Sequence, residues 1–309
     1  MQHPEQIVNE IISLSSLGYS SRKVARIVFG NETKKSTVND ILSRVVAEPI
    51  VEFDTPSTPK TILFISDCQV RPDVDTAYLR AIGEYIVDKK PDIIVNIGDF
   101  FDFPSLSSYD KGKLSFEGRR LQRDLEAGKQ GMEILLAPLR EYQLIDPAYQ
   151  PRMVFTLGNH EDRLMRLPKE NPELSGFIGY HLLDLEKDWE VVDFLKPINI
   201  QGINFVHYLS NPMSGKPYGG SAANQLKSVG TSFVVGHKQT LDVAIQPVLD
   251  GTMRLGIVCG ASYVHDEDYK GHFGNNHFRG VVMLYEASNG FADPSFISTS
   301  FLISRLNKS

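Results

Sequence analysis

The chain has 309 residues, of which 41% are hydrophobic and 23% charged, a composition typical of a globular protein and unlike that of a disordered or collagen-like chain. No apolar stretch reaches the roughly 18 residues of a membrane helix, and the N-terminus lacks the apolar core of a signal peptide. We therefore expect no membrane partner and a cytoplasmic location, or the host cytoplasm if the source is viral. Two cysteines exclude a disulfide framework, and the net charge of −6 argues against nucleic-acid binding by charge alone.

Residues 1–48 are predicted to form a small all-α domain of three helices. Apolar side chains recur at helical spacing from Ile7 to Leu14, from Val24 to Val28 and from Val38 to Val45, and a glycine ends each of the first two segments. Helices this short bury little apolar surface alone, so we expect the three to pack together as one unit.

The segment 20–35 is locally basic, with five basic residues and one acidic residue. A basic second helix followed by a third helix capped by Ser36 or Thr37 is typical of a helix-turn-helix. The candidate DNA-binding residues are Arg22, Lys23, Lys34, Lys35, Ser36, Thr37 and Asn39. Many three-helix units share this pattern, so a dimerisation or docking module is the alternative. A dimerisation module would make the chain a homodimer.

Residues 49–60 contain three prolines and no clear periodicity, so they are predicted to be a linker. From residue 61 to 309, strand and helix patterns alternate, which predicts an α/β domain. The predicted strands are 61–66, 92–97, 153–157, 203–208, 232–235, 254–259 and 280–285, and the predicted helices are 76–88, 116–142 and 221–228. Strands dominate the C-terminal half, which favours a layered mixed β-sheet sandwich flanked by helices over a Rossmann-like fold.

Polar side chains follow five of these predicted strands, at the point where each strand ends. They are Asp67 and Gln69, then Asp99 and Asp102, then Asn159 and His160, then His207, then His237 and Gln239. Ligands of α/β sheets bind outside the carboxyl ends of the strands, so we expect these side chains to meet at one edge. Carboxylate, imidazole and amide groups together are typical metal ligands.

In order, the motifs DxQ, GDxxD, GNHE, a single histidine and GHxQ resemble the five sequence blocks of the calcineurin-like metallophosphoesterase superfamily. The resemblance covers about residues 61–285, and it extends to phosphoesterases of phages and bacteria and to DNA repair exonucleases. It implies two divalent cations that clamp a phosphate and activate a hydroxide for attack on phosphorus.

The resemblance also implies a role for each site residue. The first metal would be bound by Asp67, Gln69, Asp99 and Gln239, and the second by Asp99, Asn159, His207 and His237. Asp99 would bridge the two metals. His160 would face the leaving-group oxygen as electrophile or general acid, and Asp102 would orient it through a ring N–H.

The sequence departs from the family pattern at Gln69 and Gln239, where the family has histidine. Both changes fall on the first metal site, which becomes an all-oxygen site that favours Mn²⁺ or Mg²⁺, while the second site could hold Zn²⁺ or Fe. A Mn²⁺ or Mg²⁺ enzyme, a one-metal enzyme and a degenerate site without turnover all remain open. The survival of His160 and Asp102 favours an active enzyme.

Three functions are compatible with these features. The first is a divalent-metal-dependent phosphodiesterase that cleaves DNA, with the N-terminal module supplying affinity for DNA. The second is a phosphatase or phosphodiesterase for small phosphate esters such as nucleotides, which the acidic catalytic domain favours. The third is a DNA-binding regulator with a degenerate metal site.

Four residues after the third predicted strand are interpreted as ordinary helix features. Glu161 and Asp162 are expected to cap the helix that follows GNHE, because acidic side chains stabilise a helix N-terminus. Arg163 and Arg166 are expected to lie on its solvated face, with contact to a phosphate backbone as the alternative.

Overall fold

The computed structural model describes residues 5–16, 19–46, 58–108, 112–267 and 271–306. The chain divides into two compact units, Met1–Thr55 and Pro56–Ser309. The predicted linker 49–60 lies almost wholly outside the described residues. In the part of the chain that the structure describes, no helix has both the length and the apolar character needed to cross a membrane.

The N-terminal unit contains three α-helices, as the apolar spacing predicts. They are α1 (Glu5–Ser16), α2 (Ser21–Phe29) and α3 (Lys35–Val46), with a 3₁₀ turn at Glu32–Lys34 before α3. Their shared core includes Ile11, Val24 and Val38, all fully buried. The predicted cap was wrong: Ser36 and Thr37 lie inside α3, because the side chain of Asn31 accepts the Thr33 N–H and starts the turn earlier.

The larger unit contains the remaining elements. The strands are β1 (Lys60–Ile65), β2 (Ile93–Asn96), β3 (Arg152–Thr156), β4 (Glu190–Val192), β5 (Ile198–Ile200), β6 (Ile203–Phe205), β7 (Phe233–Val235), β8 (Asp242–Pro247), β9 (Met253–Val258), β10 (Gly280–Ser288) and β11 (Phe291–Ser298). The helices are α4 (Ala77–Lys89), α5 (Leu121–Ile145), α6 (Arg163–Glu170), α7 (Ala222–Val229), α8 (Gly271–Gly274) and α9 (Thr299–Leu306).

The strands form two mixed sheets. The first has the order β11-β10-β1-β2-β3-β4, in which β1 to β4 are parallel and the pairs β10–β1 and β10–β11 are antiparallel. The second has the order β5-β6-β7-β9-β8, with a parallel centre of β6, β7 and β9. This is the predicted layered mixed-sheet sandwich flanked by helices.

The continuous apolar run in β1 follows from burial on both of its faces. Ile62 and Phe64 pack into the core between the sheets, together with Phe205 and Ile257 of the second sheet. Leu63 and Ile65 point the other way, into the core beneath α4 and α5. Since successive strand residues face opposite sides, a doubly covered strand must be apolar at every position.

The elements that the sequence did not predict lie mainly at the edges of the sheets. They are β4, β5, β8, β11 and α9, and they are short or carry polar residues. The strand β8 is an edge strand with mostly exposed side chains, and β11 contains Pro294, which edge strands tolerate. Half-exposed edge strands lack the apolar run that identified the central strands.

Gly128 of helix α5 allows this helix to pack closely against the segment that follows β2. A Cβ atom at Gly128 would overlap the ring of Phe101, which is fully buried directly before Asp102. The absence of a side chain at Gly128 therefore lets the segment after β2 pack beneath the helix.

We predict that Gly128→Val lowers the free energy of unfolding by about 2 kcal/mol, because it overpacks the contact with Phe101. Gln130→Val, at an exposed position of the same helix, is the matched control and should change stability by less than about 0.5 kcal/mol. Urea unfolding followed by circular dichroism measures both. Equal stability of the two variants would contradict the packing described here.

Candidate metal centre

Five loops at the carboxyl ends of β1, β2, β3, β6 and β7 bring the candidate ligands together. Five of the site residues adopt the left-handed backbone conformation, at φ between 45° and 66°: Asp67, Gln69, Asp99, His237 and Gln239. This conformation is uncommon for residues with a side chain and costs about 1–3 kcal/mol each. Such strain persists only where the surrounding structure enforces it, which marks these loops as a functional site.

Asp99 lies at the centre of the site and is almost fully buried. Its Oδ1 accepts the His160 main-chain N–H at 2.8 Å, and its Oδ2 lies 3.2 Å from His207 Nε2. Burial raises the pKa of this carboxyl, but the neighbouring His160 and His207 rings outweigh burial and hold the pKa well below its usual value. Asp99 is therefore a carboxylate at neutral pH, as a bridging metal ligand must be.

Three side chains already offer ligand atoms at metal-binding distances. One atom each of Asp99, His207 and His237 lies within 4.8 Å of the other two. These are three of the four residues that the sequence predicts for the second metal. The fourth, Asn159, places its Oδ1 2.9 Å from His207 Nε2.

His207 is oriented by the main chain. Its Nδ1 lies 2.7 Å from the Ile97 carbonyl oxygen, so Nδ1 donates and Nε2 faces Asp99 and Asn159. Burial alone would lower its pKa, but the Asp99 and Asp67 carboxylates raise it to about 9. The Nε2 proton of His207 thus supplies positive charge where a metal ion would bind. Binding of a metal ion there would release this proton.

Asp67 fits a second cation. Its Oδ2 accepts the Ser66 hydroxyl and, at 3.0 Å, the His237 main-chain N–H. Its Oδ1 is buried without a hydrogen-bond partner among the described residues. Burial is the largest effect on this carboxyl and raises its pKa to about 6. A buried acceptor without a donor is costly, and a divalent ion would satisfy it.

The two glutamines also lie in the site and are buried. Gln69 is fixed to the end of β2 by its main-chain N–H, which donates to the Asp99 carbonyl oxygen at 2.9 Å. The Oε1 of Gln239 accepts the Tyr263 hydroxyl at 2.9 Å. Amide oxygens are ligands for Mn²⁺ and Mg²⁺, and the assignment of this pair to an oxygen-lined site with Asp67 stays a prediction.

His160 lies beside Asp99, and its Nδ1 lies close to Asp102 without the geometry of a hydrogen bond, so the predicted orienting role of Asp102 stays a prediction. Its Nδ1 is 3.0 Å from Asp102 Oδ1, and its Nε2 is 3.7 Å from Asp99 Oδ2. Burial raises the pKa of Asp102, but His160, Arg71 and Arg163 outweigh it and hold this pKa below its usual value. The carboxylate of Asp102 is thus available to orient the ring and to stabilise its protonated form.

The interpretation of Arg163 as a solvated residue was wrong. Its side chain is only 12% exposed, and its Nη1 donates to the carbonyl oxygens of Asp102 and Phe103 at 2.7 Å and 3.1 Å. Its Nη2 lies 3.0 Å from His160 Nε2. By contrast, Arg166 is 49% exposed, as expected for a solvated position. Only spacing on the short helix α6 distinguishes the two arginines in the sequence.

Glu161 was also misassigned. It is fully buried, and its carboxylate accepts three main-chain N–H groups, those of Gly158, Asp99 and Phe101, at 2.8–3.0 Å. It therefore ties the end of β3 to the end of β2 instead of capping α6. This close approach requires glycine at 158, since a Cβ atom there would overlap the main chain of Asp99.

The candidate DNA-binding residues belong to the N-terminal unit. Six of them, all but Thr37, are exposed, and Thr37 is half-buried. The second helix has no acidic residue in its first turn. These positions are compatible with contact to a polyanion.

The chain is similar to a family model and to several known proteins. The chain matches the family model "Calcineurin-like phosphoesterase" over residues 60–238, which is more than half of its length. It is 30% identical over 184 residues to the Gene 54 protein of Mycobacterium phage L5, which covers 58% of this chain and 68% of that protein. It is 36% identical over 104 residues to the Gene 54 protein of Mycobacterium phage D29, which covers 34% of this chain and 37% of that protein.

Among solved structures, a conserved uncharacterized protein of Streptococcus pneumoniae TIGR4, described as a predicted phosphoesterase, covers 78% of this chain and 99% of its own at 10% identity. The TM-score of 0.29 is too low for that likeness to support a conclusion. The family match supports a hydrolase, and the sheet-end cluster of carboxylate and imidazole groups is its candidate metal site. The chain belongs to the calcineurin-like phosphoesterase family.

We predict that Asp99→Asn weakens Mn²⁺ binding at both sites by at least about 100-fold, because it removes the one carboxylate that faces both sets of ligands. Asp266→Asn, which changes an exposed carboxylate paired with Arg279, is the control and should bind Mn²⁺ like the parent chain. Calorimetric titration of the metal-free proteins measures both. Retention of two bound Mn²⁺ ions by Asp99→Asn would show that Asp99 does not bridge.

Proposed function

We propose that this chain is a divalent-metal-dependent phosphodiesterase that cleaves DNA. The observation that carries the proposal is the cluster of Asp99, His207 and His237 with the His160–Asp102 pair beside it. The metal ligands therefore lie next to a histidine that could act on a leaving group. The DNA substrate is supported by the exposed basic residues of the N-terminal unit.

The residues fit two metal ions of different character. Asp99, Asn159, His207 and His237 would hold one ion through oxygen and nitrogen atoms, and this ion could be Mn²⁺, Zn²⁺ or Fe. Asp67, Gln69, Asp99 and Gln239 would hold the other through oxygen alone, which favours Mn²⁺ or Mg²⁺. The Oδ1 of Asp67, which has no hydrogen-bond partner among the described residues, supports occupation of this oxygen-lined first site.

When bound, the two ions would supply Lewis-acid activation of the phosphate and of the attacking water. The protein's own groups would then act on the departing oxygen. His160 would donate a proton from Nε2 to the leaving group, and Asp102 would stabilise the protonated ring at Nδ1. Arg163 would turn its Nη2 from His160 toward a phosphate oxygen, so that Nε2 can face the leaving group.

The second candidate substrate is a small phosphate ester, which an acidic catalytic unit favours over a long polyanion. Two divalent ions would offset its acidity locally, but a long polyanion needs basic contacts along its length. The N-terminal unit supplies such contacts under the proposed function. Under the alternative it dimerises the chain, and DNA would then be cleaved no faster than a small diester.

We predict that His160→Gln lowers kcat for a DNA oligonucleotide in Mn²⁺ by at least about 100-fold, because it removes the proton donor. Mn²⁺ binding should be unchanged, since His160 is not a metal ligand. His181→Gln, at an exposed position, is the control and should retain full activity. A parent chain that hydrolyses bis-p-nitrophenyl phosphate and leaves every DNA substrate intact would overturn the choice of DNA.

We predict that Lys34→Ala with Lys35→Ala weakens DNA binding and makes the dependence of log affinity on log salt shallower by about 2, because two phosphate contacts are lost. Hydrolysis of bis-p-nitrophenyl phosphate should stay unchanged. Lys169→Ala with Lys187→Ala, in the catalytic unit, is the control for the same loss of charge. An unchanged DNA affinity after the Lys34 and Lys35 changes would favour a dimerisation or docking module.

A further inference from the structure

An ion-pair network continues from the His160–Asp102 pair to a part of the chain beyond the region matched by the family model. Arg71 Nη1 lies 3.2 Å from Asp102 Oδ2, the carboxylate oxygen that does not face His160. The same Nη1 lies 3.1 Å from Glu267 Oε2. Arg71 therefore joins two carboxylates that lie 31 and 196 positions from it in the sequence and that only the fold brings together.

Both carboxylates are buried, which makes the arginine between them important. The side chains of Asp102 and Glu267 are 9% and 7% exposed, and that of Arg71 is 24% exposed. Two buried carboxylates repel each other, and a cation between them offsets that repulsion. The charges of Glu267 and Asp102 in turn outweigh burial and raise the pKa of Arg71.

Glu267 is held in place by its own loop. Its main-chain N–H donates to Asn275 Oδ1 at 2.8 Å, and its carbonyl oxygen accepts Asn275 Nδ2 at 2.9 Å. Its Oε1 lies 3.1 Å from His265 Nε2, and the His265 ring stacks on Tyr263 at 4.4 Å between centroids. The carboxylate is therefore a fixed anchor for Arg71.

Arg71 is fixed to the loop of Asp102 by the main chain as well. Val70 N–H donates to the Phe100 carbonyl oxygen at 2.7 Å, and Asp102 N–H donates to the Val70 carbonyl oxygen at 3.0 Å. The guanidinium thus adds a side-chain restraint to a loop whose backbone is already paired. The contact of the guanidinium with Oδ2 restrains rotation of the carboxylate about the side-chain bonds of Asp102.

We propose that Arg71 and Glu267 are positioning residues that hold the Asp102 carboxylate, and through it the His160 ring, in the orientation needed to protonate the leaving group. This rests on the proposed function insofar as His160 acts on the leaving group. An Asp102 carboxylate without Arg71 can rotate, and the Nδ1 contact of His160 then no longer selects one ring orientation.

The first test reads the ring of His160 directly and does not depend on turnover. In the full chain with Mg²⁺ and ¹⁵N-labelled histidine, at a pH where the ring is neutral, the two ring nitrogens of His160 should give distinct ¹⁵N shifts, with the proton on Nδ1 and none on Nε2. The ring would take up a second proton, on Nε2, before it donates that proton to a leaving group. His160→Gln identifies the signals. In Arg71→Gln and in Glu267→Gln the two shifts should move toward each other, because the ring exchanges between tautomers. Arg166→Gln, an exposed arginine near the site, is the control and should leave both shifts in place.

The second test compares aryl phosphodiesters that differ in leaving group. For Glu267→Gln, kcat should fall about 10-fold for a phenolate leaving group and much less for p-nitrophenolate, which departs without a proton. A residue that only stabilises the fold would lower both rates equally. Arg71→Lys, which keeps the charge, should restore part of the phenyl ester activity that Arg71→Gln loses.

The outcomes separate this inference from the proposed function. Unchanged ¹⁵N shifts of His160 in folded Arg71→Gln and Glu267→Gln would overturn the positioning role, whether or not the chain is active. Equal losses for both leaving groups would also overturn it. A parent chain that cleaves neither DNA nor aryl diesters would refute the proposed function, and the ¹⁵N shifts would still decide the positioning role.

Discussion

The structure depends on the burial of negative charge at the ends of parallel strands. Asp67 and Asp99 are almost completely removed from solvent; burial, and to a smaller extent the charge of Asp99, raises the pKa of Asp67. Removing two such carboxylates from water costs several kcal/mol unless positive charge compensates them. Protonated His207 supplies part of that compensation, and divalent ions at the same position would supply more. The fold therefore contains a candidate metal site at which bound cations would offset the buried negative charge.

The rigidity of the surrounding loops follows from the same requirement. Glu161 ties three main-chain N–H groups from two loops together, and Gly158 allows those loops to approach each other. The left-handed conformation at Asp99 lies within this packing, which enforces it. The packed loops hold the ligand atoms in place before a metal ion binds. Little conformational entropy is then lost when the ion binds.

Much of this site could be predicted from the sequence because each ligand directly follows an apolar run. The runs that precede Asp67 and Asp99 are strands buried on both faces, so their carboxyl ends are easy to locate. The roles of Tyr263, Arg71 and Glu267 could not be predicted, because their partners are distant in sequence and their local context is an irregular loop. Arg163 and Glu161 were misassigned because helical position alone does not distinguish a residue that points into the site from one in solvent. The edge strands β8 and β11 escaped prediction because exposure removes the apolar periodicity.

We expect the glutamine-lined site to bind its metal ion more weakly than the site of His207 and His237, because it offers only oxygen ligands, and to be required for hydrolysis. Metal-free chain can be titrated with Mn²⁺ while bound Mn²⁺ and hydrolysis of bis-p-nitrophenyl phosphate are followed in the same samples. We expect the first equivalent to bind tightly with little activity, and hydrolysis to rise with the second, weaker equivalent. Full activity at one equivalent, or no hydrolysis with two ions bound, would contradict the account.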